Sequence, residues 1–216
     1  MLVPALTTWA VLIRLHELWD EEDTEPPDND LVVCMTVEEL IIKGLRRHFE
    51  PERYRNLTRE SWSAYFQRPW PEALESWTGD PRWVALWGPT GTGKTGIATV
   101  LLAEHLRTGR RGRWISGPEL ARRIQCDFTT AEDVLAPLLV TPLLVLDEPL
   151  SVASADWYMD RLLLLTRTRD ESCLPTIVTS QLLPELLAPP CMEAPPPLLS
   201  RWLSGLQIAT RGDDIR

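Results

Sequence analysis

Short apolar runs alternate with longer segments of helical periodicity along residues 83–209, and this alternation predicts the architecture of the chain. The apolar runs predict short strands that are buried on both faces, at residues 83–87, 113–116, 143–146, 176–179 and 206–209. Apolar residues three and four apart predict the helices between them, which run up to Gly109, from Pro118, over 131–139, over 156–165, and around Pro184 and Leu198. Strands separated by helices favour a parallel sheet flanked by helices, in a doubly wound α/β fold.

Residues 1–80 have a helical rather than an alternating pattern. An amphipathic helix is predicted near the N-terminus, and an acidic, proline-containing linker follows it up to about residue 30. Helices are predicted over 31–80, one beginning at a capping box at Thr36 and another at Pro71. The N-terminal helix either docks on a partner protein or packs on the chain's own core. We therefore divide the chain into a short helical N-terminal region, residues 1–48, and a core, residues 49–216.

The net charge does not exclude a nucleic-acid partner. The formal charge of −9 argues at first against one, because phosphate binding needs clustered lysine and arginine. However, seven acidic residues and no basic residue lie between Asp20 and Asp30, so the rest of the chain is close to neutral. We interpret this acidic run as a solvated linker, and the alternative is a docking site for a basic partner.

Cysteine usage and the N-terminal pattern predict a cytoplasmic protein. The four cysteines are widely spaced and there are three histidines, so neither a disulfide framework nor a zinc site is indicated. The apolar N-terminal stretch has no basic leader, is interrupted by Arg14 and is too short to span a bilayer. We expect no signal peptide and no membrane partner.

The first strand runs into GPTGTGKT, which matches GxxxxGK[ST] at each fixed position. A strand before it and a helix after it identify this pattern as a P-loop. The glycines let backbone N–H groups surround phosphate oxygens, and the positive end of the helix adds to the attraction. The lysine contacts the β- and γ-phosphates, and the last threonine is a magnesium ligand. The predicted nucleotide-binding residues are Gly88, Pro89, Thr90, Gly91, Thr92, Gly93, Lys94 and Thr95.

The third strand runs into a pair of acids, in LLVLDEP. Asp147 is predicted to hold magnesium, and Glu148 to orient or deprotonate the attacking water. The alternative is two exposed acids at the start of a helix, which the four aliphatic residues before the pair disfavour. The chain has no NKxD box, because neither of its two asparagines precedes a lysine. ATP hydrolysis with magnesium is therefore predicted.

The fourth strand ends in polar residues. PTIVTSQL, residues 175–182, places Thr179, Ser180 and Gln181 at the carboxyl edge of the predicted sheet. Ligands of open α/β sheets bind at this edge. The alternative is an ordinary strand-to-helix turn in which Ser180 is the N-cap.

The segments WVALWGPTGTGKTGIATVLLAEHL, LLVLDEP, LPTIVTSQLLPELL and LLSRWLSGLQIATRGDDIR together resemble the AAA+ ATPases of the DnaC/IstB-like group. This group comprises bacterial and phage helicase loaders and their transposition relatives. FEPERYRNLTRESW resembles the stretch that precedes the ATPase core in this group, so the resemblance covers residues 49–216. The first two motifs are shared with many P-loop ATPases, whereas PTIVTSQL, SRWLSG and the GDDIR ending are more specific.

The resemblance implies an AAA+ type P-loop NTPase fold and two further catalytic residues besides Lys94 and Glu148. Gln181 matches the sensor 1 position, where an asparagine is usual. Arg201 matches the arginine finger, which reaches the γ-phosphate of a neighbouring subunit, so a homo-oligomer is implied. The alternative for Arg201 is a surface arginine beside a buried tryptophan. The chain ends seven residues after Ala209, so we expect the helical lid to be absent or vestigial.

Two groups of arginines are candidates for DNA contact. Clustered arginines neutralise phosphates, and single-strand binders often add an aromatic platform. The candidates are Arg110, Arg111, Arg113, Arg122 and Arg123, with Phe128 or Trp114 as the platform. The alternative is that these arginines belong to solvated segments.

The resemblance implies an ATP-dependent helicase loader. Such a protein binds ATP and Mg²⁺, oligomerises, and assists the loading of a replicative helicase on single-stranded DNA. The first alternative is an IstB-like transposition accessory ATPase that acts with a transposase. The second is a non-hydrolysing adaptor whose nucleotide site switches protein contacts.

Overall fold

The computed structural model describes residues 57–126, 131–152, 156–181 and 196–210. Several predictions lie outside these ranges: the N-terminal region and its acidic linker, the helix near Pro184, and the aromatic platform at Phe128. In the described part of the chain, no helix is long and apolar enough to cross a membrane.

Strands and helices alternate along the described core. The strands are β1 (Trp83–Trp87), β2 (Gly112–Ser116), β3 (Leu143–Asp147), β4 (Thr176–Ser180) and β5 (Leu206–Ala209). The helices are α1 (Arg59–Phe66), α2 (Lys94–Arg107), α3 (Gly117–Cys126), α4 (Ala131–Val140), α5 (Asp156–Glu171) and α6 (Pro196–Leu203), with 3-10 turns at Glu72–Leu74 and Pro149–Val152. Each predicted strand is found to within one residue at either end.

The five strands form one parallel sheet in the order β2-β3-β4-β1-β5. This confirms the predicted parallel α/β architecture. Because the strands are parallel, their carboxyl ends lie along one edge of the sheet. β4 lies between β3 and β1, so the segments that follow these three strands meet at that edge. The P-loop follows β1 and the acidic pair ends β3, and the order of the strands therefore brings the two motifs together.

Each face of the sheet carries its own hydrophobic core, because successive side chains of a strand point to opposite faces. Val84 and Leu86 pack with α1 and α2 on one face. Trp83, Ala85 and Trp87 pack with α3, α4, α5 and α6 on the other. All five side chains of β1 are buried, and full burial of one large apolar side chain stabilises the fold by about 1.5–3 kcal/mol. The sheet is thus covered by helices on both faces.

Two helices differ from their predicted extent. The helix predicted at Pro71 is a single 3-10 turn, because only Leu74 and Trp77 of this segment are buried and the chain turns at Gly79, where φ is +119°. Conversely, α5 extends six residues beyond the predicted end at Leu165. Its last turns are polar in sequence, yet they contain Arg169, whose side chain is fully buried.

Arg169 connects three elements of the core. Its guanidinium donates hydrogen bonds of 2.6–2.8 Å to the carbonyl oxygens of Leu138, Thr141 and Pro175 and to the hydroxyl of Thr176. Burial lowers the pKa of Arg169 to about 9, so the side chain remains charged at neutral pH. The end of α4 and the start of β4 are therefore held to α5 by one residue.

We expect Thr166→Val in α5 to stabilise the fold. Thr166 is fully buried, and in the described part of the chain its hydroxyl has no hydrogen-bond partner. Valine has the same shape and removes a polar group that was desolvated without compensation, so the free energy of unfolding should rise by about 1 kcal/mol. Urea denaturation measures this change. Thr176→Val is the matched control and should destabilise, because the Thr176 hydroxyl accepts from Arg169. A less stable Thr166→Val protein would contradict the expectation.

Candidate nucleotide-binding site

The loop between β1 and α2 has a backbone that requires glycine. Gly88 has a φ of +145°, and a side chain at this position would collide with the carbonyl oxygen of Thr210. Gly93 has a φ of +90°, and a Cβ there would lie 2.9 Å from the indole nitrogen of Trp62. The indole Nε1 of Trp62 also donates to the Gly93 carbonyl oxygen at 3.1 Å. The loop is therefore fixed from α1 and from the end of β5.

A pair of hydroxyls joins the P-loop to the end of β5. The Oγ1 atoms of Thr92 and Thr210 lie 2.6 Å apart, and the Thr210 hydroxyl donates to the Trp87 carbonyl oxygen at 2.9 Å. Both threonines are buried. The start of the P-loop is consequently tied to the residue that follows the last strand.

Lys94 is the first residue of α2, and its side chain folds over its own loop. It is 5% exposed, and Nζ donates to the carbonyl oxygens of Gly88 and Pro89, both at 2.8 Å. Nζ also lies 3.7 Å from Glu148 Oε1. The ammonium is thus surrounded by oxygen atoms in the space that the P-loop encloses.

Asp147 is the last residue of β3 and lies beside the P-loop helix. Its Oδ1 accepts hydrogen bonds from Thr95 Oγ1 at 3.0 Å and from Thr179 Oγ1 at 2.7 Å. Burial raises the pKa of Asp147, while the two hydroxyls and the charge of Lys94 act in the opposite direction. The structure therefore brings the two predicted metal ligands, Thr95 and Asp147, into direct contact.

Glu148 follows β3 in a left-handed backbone conformation, with a φ of +49°. This region is disfavoured for residues with a side chain. Its backbone N–H donates to Thr179 Oγ1 at 2.9 Å, and its Oε2 accepts the backbone N–H of Gln181 at 3.2 Å. Burial raises the pKa of Glu148, Lys94 opposes this, and Asp147 adds to it. A raised pKa makes a carboxylate a stronger base.

Gln181 lies at the predicted edge of the sheet, immediately after β4. Its main-chain N–H contacts Glu148, and its side chain is exposed. The preceding residue, Ser180, accepts the backbone N–H of Gly88 through its carbonyl oxygen at 3.1 Å. The end of β4 therefore touches both the acidic pair and the P-loop.

Arg201 lies at the opposite edge of the sheet from the P-loop, where the parallel strands begin. Its Nε is 3.4 Å from Asp170 Oδ2, without hydrogen-bond geometry, and Nη1 donates to the Pro197 carbonyl oxygen. The other oxygen of Asp170 accepts the indole N–H of Trp83, the first residue of β1. The P-loop begins at the opposite end of this strand, which spans about 13 Å. Arg201 is therefore remote from the nucleotide site of its own chain.

The two arginine groups predicted to contact DNA lie at opposite ends of β2. Arg110 and Arg111 are exposed before β2, whereas Arg122 and Arg123 are exposed on α3, after it. Glu119 accepts from both α3 arginines at 2.7–2.8 Å, and these bonds lower its pKa to about 2.

Two further DNA candidates have different surroundings. Arg113 is half-buried within β2. Trp114 is 7% exposed and packs in the core against α2. The interpretation of Trp114 as a stacking platform is therefore wrong, because its ring is not accessible to a base.

Sequence reasoning placed Thr179 at the carboxyl edge of the sheet without predicting its contacts, and it missed two further residues that shape the site. Thr179 contacts both acids, Thr210 supports the P-loop, and Trp62 contacts Gly93. The polar ending of β4 was a visible signal for Thr179. Nothing in the sequence indicated which residues would face Thr92 or Gly93, since these contacts span 118 and 31 positions.

A match to a family model shows which protein family the chain belongs to. The model described as IstB-like ATP binding protein matches residues 72–183, which is just over half of the chain and contains the P-loop, the acidic pair and Gln181. The chain belongs to the IstB-like ATP-binding proteins. Membership makes it an ATP-binding protein of the P-loop class. A search of curated proteins finds no significant match to this IstB-like chain.

Solved structures with the same fold include replication proteins. The replication initiator DnaA bound to AMPPCP and single-stranded DNA is 19% identical, with a TM-score of 0.60 over 76% of this chain and 52% of that one. DnaI is 20% identical, with a TM-score of 0.58 over 78% and 95%. The DnaC helicase loader is 17% identical, with a TM-score of 0.54 over 74% and 100%. The IstB-like chain spans about half the length of the DnaA structure, and these similarities establish the AAA+ fold.

Proposed function

We propose that this IstB-like protein is an AAA+ ATPase of the helicase-loader type. It binds ATP with Mg²⁺, assembles with copies of itself, and helps to place a replicative helicase on single-stranded DNA. The observation that carries this proposal is the convergence of Lys94, Thr95, Asp147 and Glu148 at one edge of the sheet. A lysine, a hydroxyl and two acids in this arrangement are the groups that phosphoryl transfer to water requires.

Each side chain has an assigned role. The backbone of residues 88–95 surrounds the phosphates, and Lys94 exchanges its bonds to Gly88 and Pro89 for phosphate oxygens. Glu148 orients the attacking water and accepts its proton. Gln181 is the sensor that reports on the γ-phosphate, since it follows β4 and contacts Glu148 through its main chain.

The residues beside Lys94 fit a magnesium ion. Thr95 Oγ1 and Asp147 Oδ1 are oxygen donors 3.0 Å apart, and Mg²⁺ prefers one or two protein oxygens together with substrate phosphates. Among the described residues, no cluster of three His, Cys, Asp or Glu side chains forms a dedicated metal cage. Such a site depends on the nucleotide to complete it. When bound, the ion neutralises charge that develops on the phosphates.

Arg201 supports assembly into a ring or a helical filament. Its side chain lies at the edge of the sheet opposite its own P-loop, so it can serve only a nucleotide held by another copy. A head-to-tail contact in which one copy presents its P-loop edge and the next presents Arg201 is heterologous, and such contacts generate rings or filaments. The exposed arginines on either side of β2 are the assigned DNA contacts, and residues 1–48 are the assigned helicase-docking region.

The family description favours a second candidate, an IstB-like transposition accessory ATPase that acts with a transposase. Its catalytic core has the same requirements. The two candidates differ in the DNA that they engage, because a loader acts on single strands whereas a transposition accessory protein remodels duplex target DNA.

ATP turnover with different DNA substrates tests the proposal. We expect the full chain to hydrolyse ATP in the presence of Mg²⁺ and a single-stranded oligonucleotide to stimulate turnover more than a duplex of the same length. Lys94→Ala is the control that removes the phosphate contact. Stronger stimulation by duplex DNA would support the transposition accessory function. Nucleotide binding without any turnover would contradict hydrolysis and leave a nucleotide-gated adaptor.

A further inference from the structure

Thr179, near the end of β4, bonds to both acids of the nucleotide site. Its Oγ1 donates to Asp147 Oδ1 at 2.7 Å and accepts the backbone N–H of Glu148 at 2.9 Å. We propose that Thr179 is a positioning residue, which orients Asp147 toward the magnesium ion and fixes the backbone turn at Glu148. This inference rests on the proposed function, because it concerns the same site.

The register of the sheet places Thr179 beside Asp147. Leu146 of β3 lies opposite Val178 of β4, so the next residues of the two strands are neighbours. On its other side β4 pairs with β1, where Leu86 lies opposite Thr179. Thr179 is fully buried between these strands. A β-branched side chain that is enclosed in this way has little rotamer freedom, so the hydroxyl has a defined position.

Thr179 and Thr95 hold Asp147 from two different elements. Both hydroxyls bond to Oδ1, from β4 and from the start of α2. The carboxylate of Asp147 is thus held in place by two hydrogen bonds that come from different elements. Partners behind a metal ligand commonly set its orientation and affinity.

Thr179 also anchors the strained backbone at Glu148. A φ of +49° is disfavoured for a residue with a Cβ, and it persists only if neighbouring contacts hold it. The bond from the Glu148 N–H to Thr179 Oγ1 is such a contact. One hydroxyl therefore acts as donor toward the metal-binding acid and as acceptor from the water-activating residue.

Two substitutions separate this role from packing. Valine has the shape of threonine but neither donates nor accepts a hydrogen bond. Serine retains the donor and the acceptor but removes a methyl group. If the hydroxyl positions the site, Thr179→Ser resembles the unchanged protein and Thr179→Val does not. If only packing matters, the order is reversed.

Binding of AMPPCP with and without magnesium is the primary test. We measure its Kd for the full chain in excess Mg²⁺ and in EDTA. The Kd in EDTA divided by the Kd in Mg²⁺ reports the coupling of metal to nucleotide. We expect Thr179→Val to reduce this ratio by about 10-fold or more, while its Kd in EDTA stays within about twofold. Thr179→Ser should keep the ratio within about threefold of the unchanged protein.

Turnover provides a second readout. We expect Thr179→Val to lower kcat by about 10–100-fold and to raise the KM for Mg²⁺-ATP in parallel with its weaker Mg²⁺-AMPPCP binding. A Thr179→Val protein with normal Mg²⁺ coupling would overturn the inference. AMPPCP binding to the unsubstituted protein that does not depend on Mg²⁺ would also overturn it. Mg²⁺-dependent binding without turnover would instead contradict the proposed hydrolysis alone.

Two more variants separate positioning from stability. Thr176→Val removes another buried hydroxyl of β4, at the opposite end of the strand, where it accepts from Arg169. This variant should lower the melting temperature without changing the Mg²⁺ coupling. Thr179→Ala needs no additional space and serves if Thr179→Val does not fold. A normal Mg²⁺ coupling in Thr179→Ala would also overturn the inference.

Discussion

Glu148→Gln is expected to lower ATP turnover by about 100-fold or more while Mg²⁺-ATP binding stays within about threefold. The amide has the shape of the carboxylate but cannot accept a proton from water. Burial and the neighbouring Asp147 raise the pKa of Glu148, which makes the carboxylate a stronger base than an exposed glutamate. Lys94, at 3.7 Å, opposes this rise in the pKa.

Single-turnover hydrolysis and equilibrium binding measured on the same preparation test this expectation. Glu171→Gln is the matched control, because Glu171 is exposed at the end of α5, where it pairs with Arg167. This control should hydrolyse ATP as the unchanged protein does. Retention of more than about a third of the turnover by Glu148→Gln would contradict the assignment of Glu148 as the general base.

Arg201→Ala is expected to lower turnover by about 1,000-fold and to leave the Kd for ATP of the isolated chain unchanged. Both effects have the same cause: Arg201 lies beside Asp170 and the start of β1, whereas the P-loop follows the end of this strand. In the proposed assembly, a guanidinium at this edge stabilises charge on a nucleotide that another copy holds.

The dependence of turnover on protein concentration tests this second expectation. Turnover per chain of the unchanged protein should rise with concentration as copies assemble, and that of Arg201→Ala should stay low throughout. Arg167→Ala is the matched control, because it removes an exposed arginine of α5 whose ion pair, within the described residues, is with Glu171. An Arg201→Ala protein with normal turnover would contradict the finger assignment.

Local patterns in the sequence were sufficient to predict the strands and to place the P-loop and the acidic pair at the ends of two of them. The buried strands are nearly continuous apolar runs, and the P-loop and acidic pair are contiguous segments with strong backbone requirements. The parallel sheet that joins them followed from the alternation of strands and helices. The predicted extent of α5 was too short because the charged residue Arg169 is buried in its last turns. This burial depends on carbonyl groups of α4 and of Pro175, the residue before β4.

Contacts between distant segments were outside the reach of these patterns. Thr179 bonds to Asp147 only because β4 lies beside β3 in one register. Thr92 meets Thr210 because β5 pairs with β1. Trp114 shows that a local pattern can also mislead. An aromatic residue beside arginines suggested a platform for DNA bases, but its side chain is buried in the core. A motif gives the chemistry of a position, whereas the strand order determines its neighbours.

Mixing two inactive variants tests most directly the claim that a neighbouring copy completes the nucleotide site. Glu148→Gln retains Arg201, and Arg201→Ala retains Glu148, so a contact between them can unite one intact site with one intact finger. With equal amounts of each in a head-to-tail assembly, we expect turnover to recover to about a quarter of that of the unchanged protein. If the turnover of the mixture equals the summed turnover of the two variants measured separately, this result would contradict a site shared between copies.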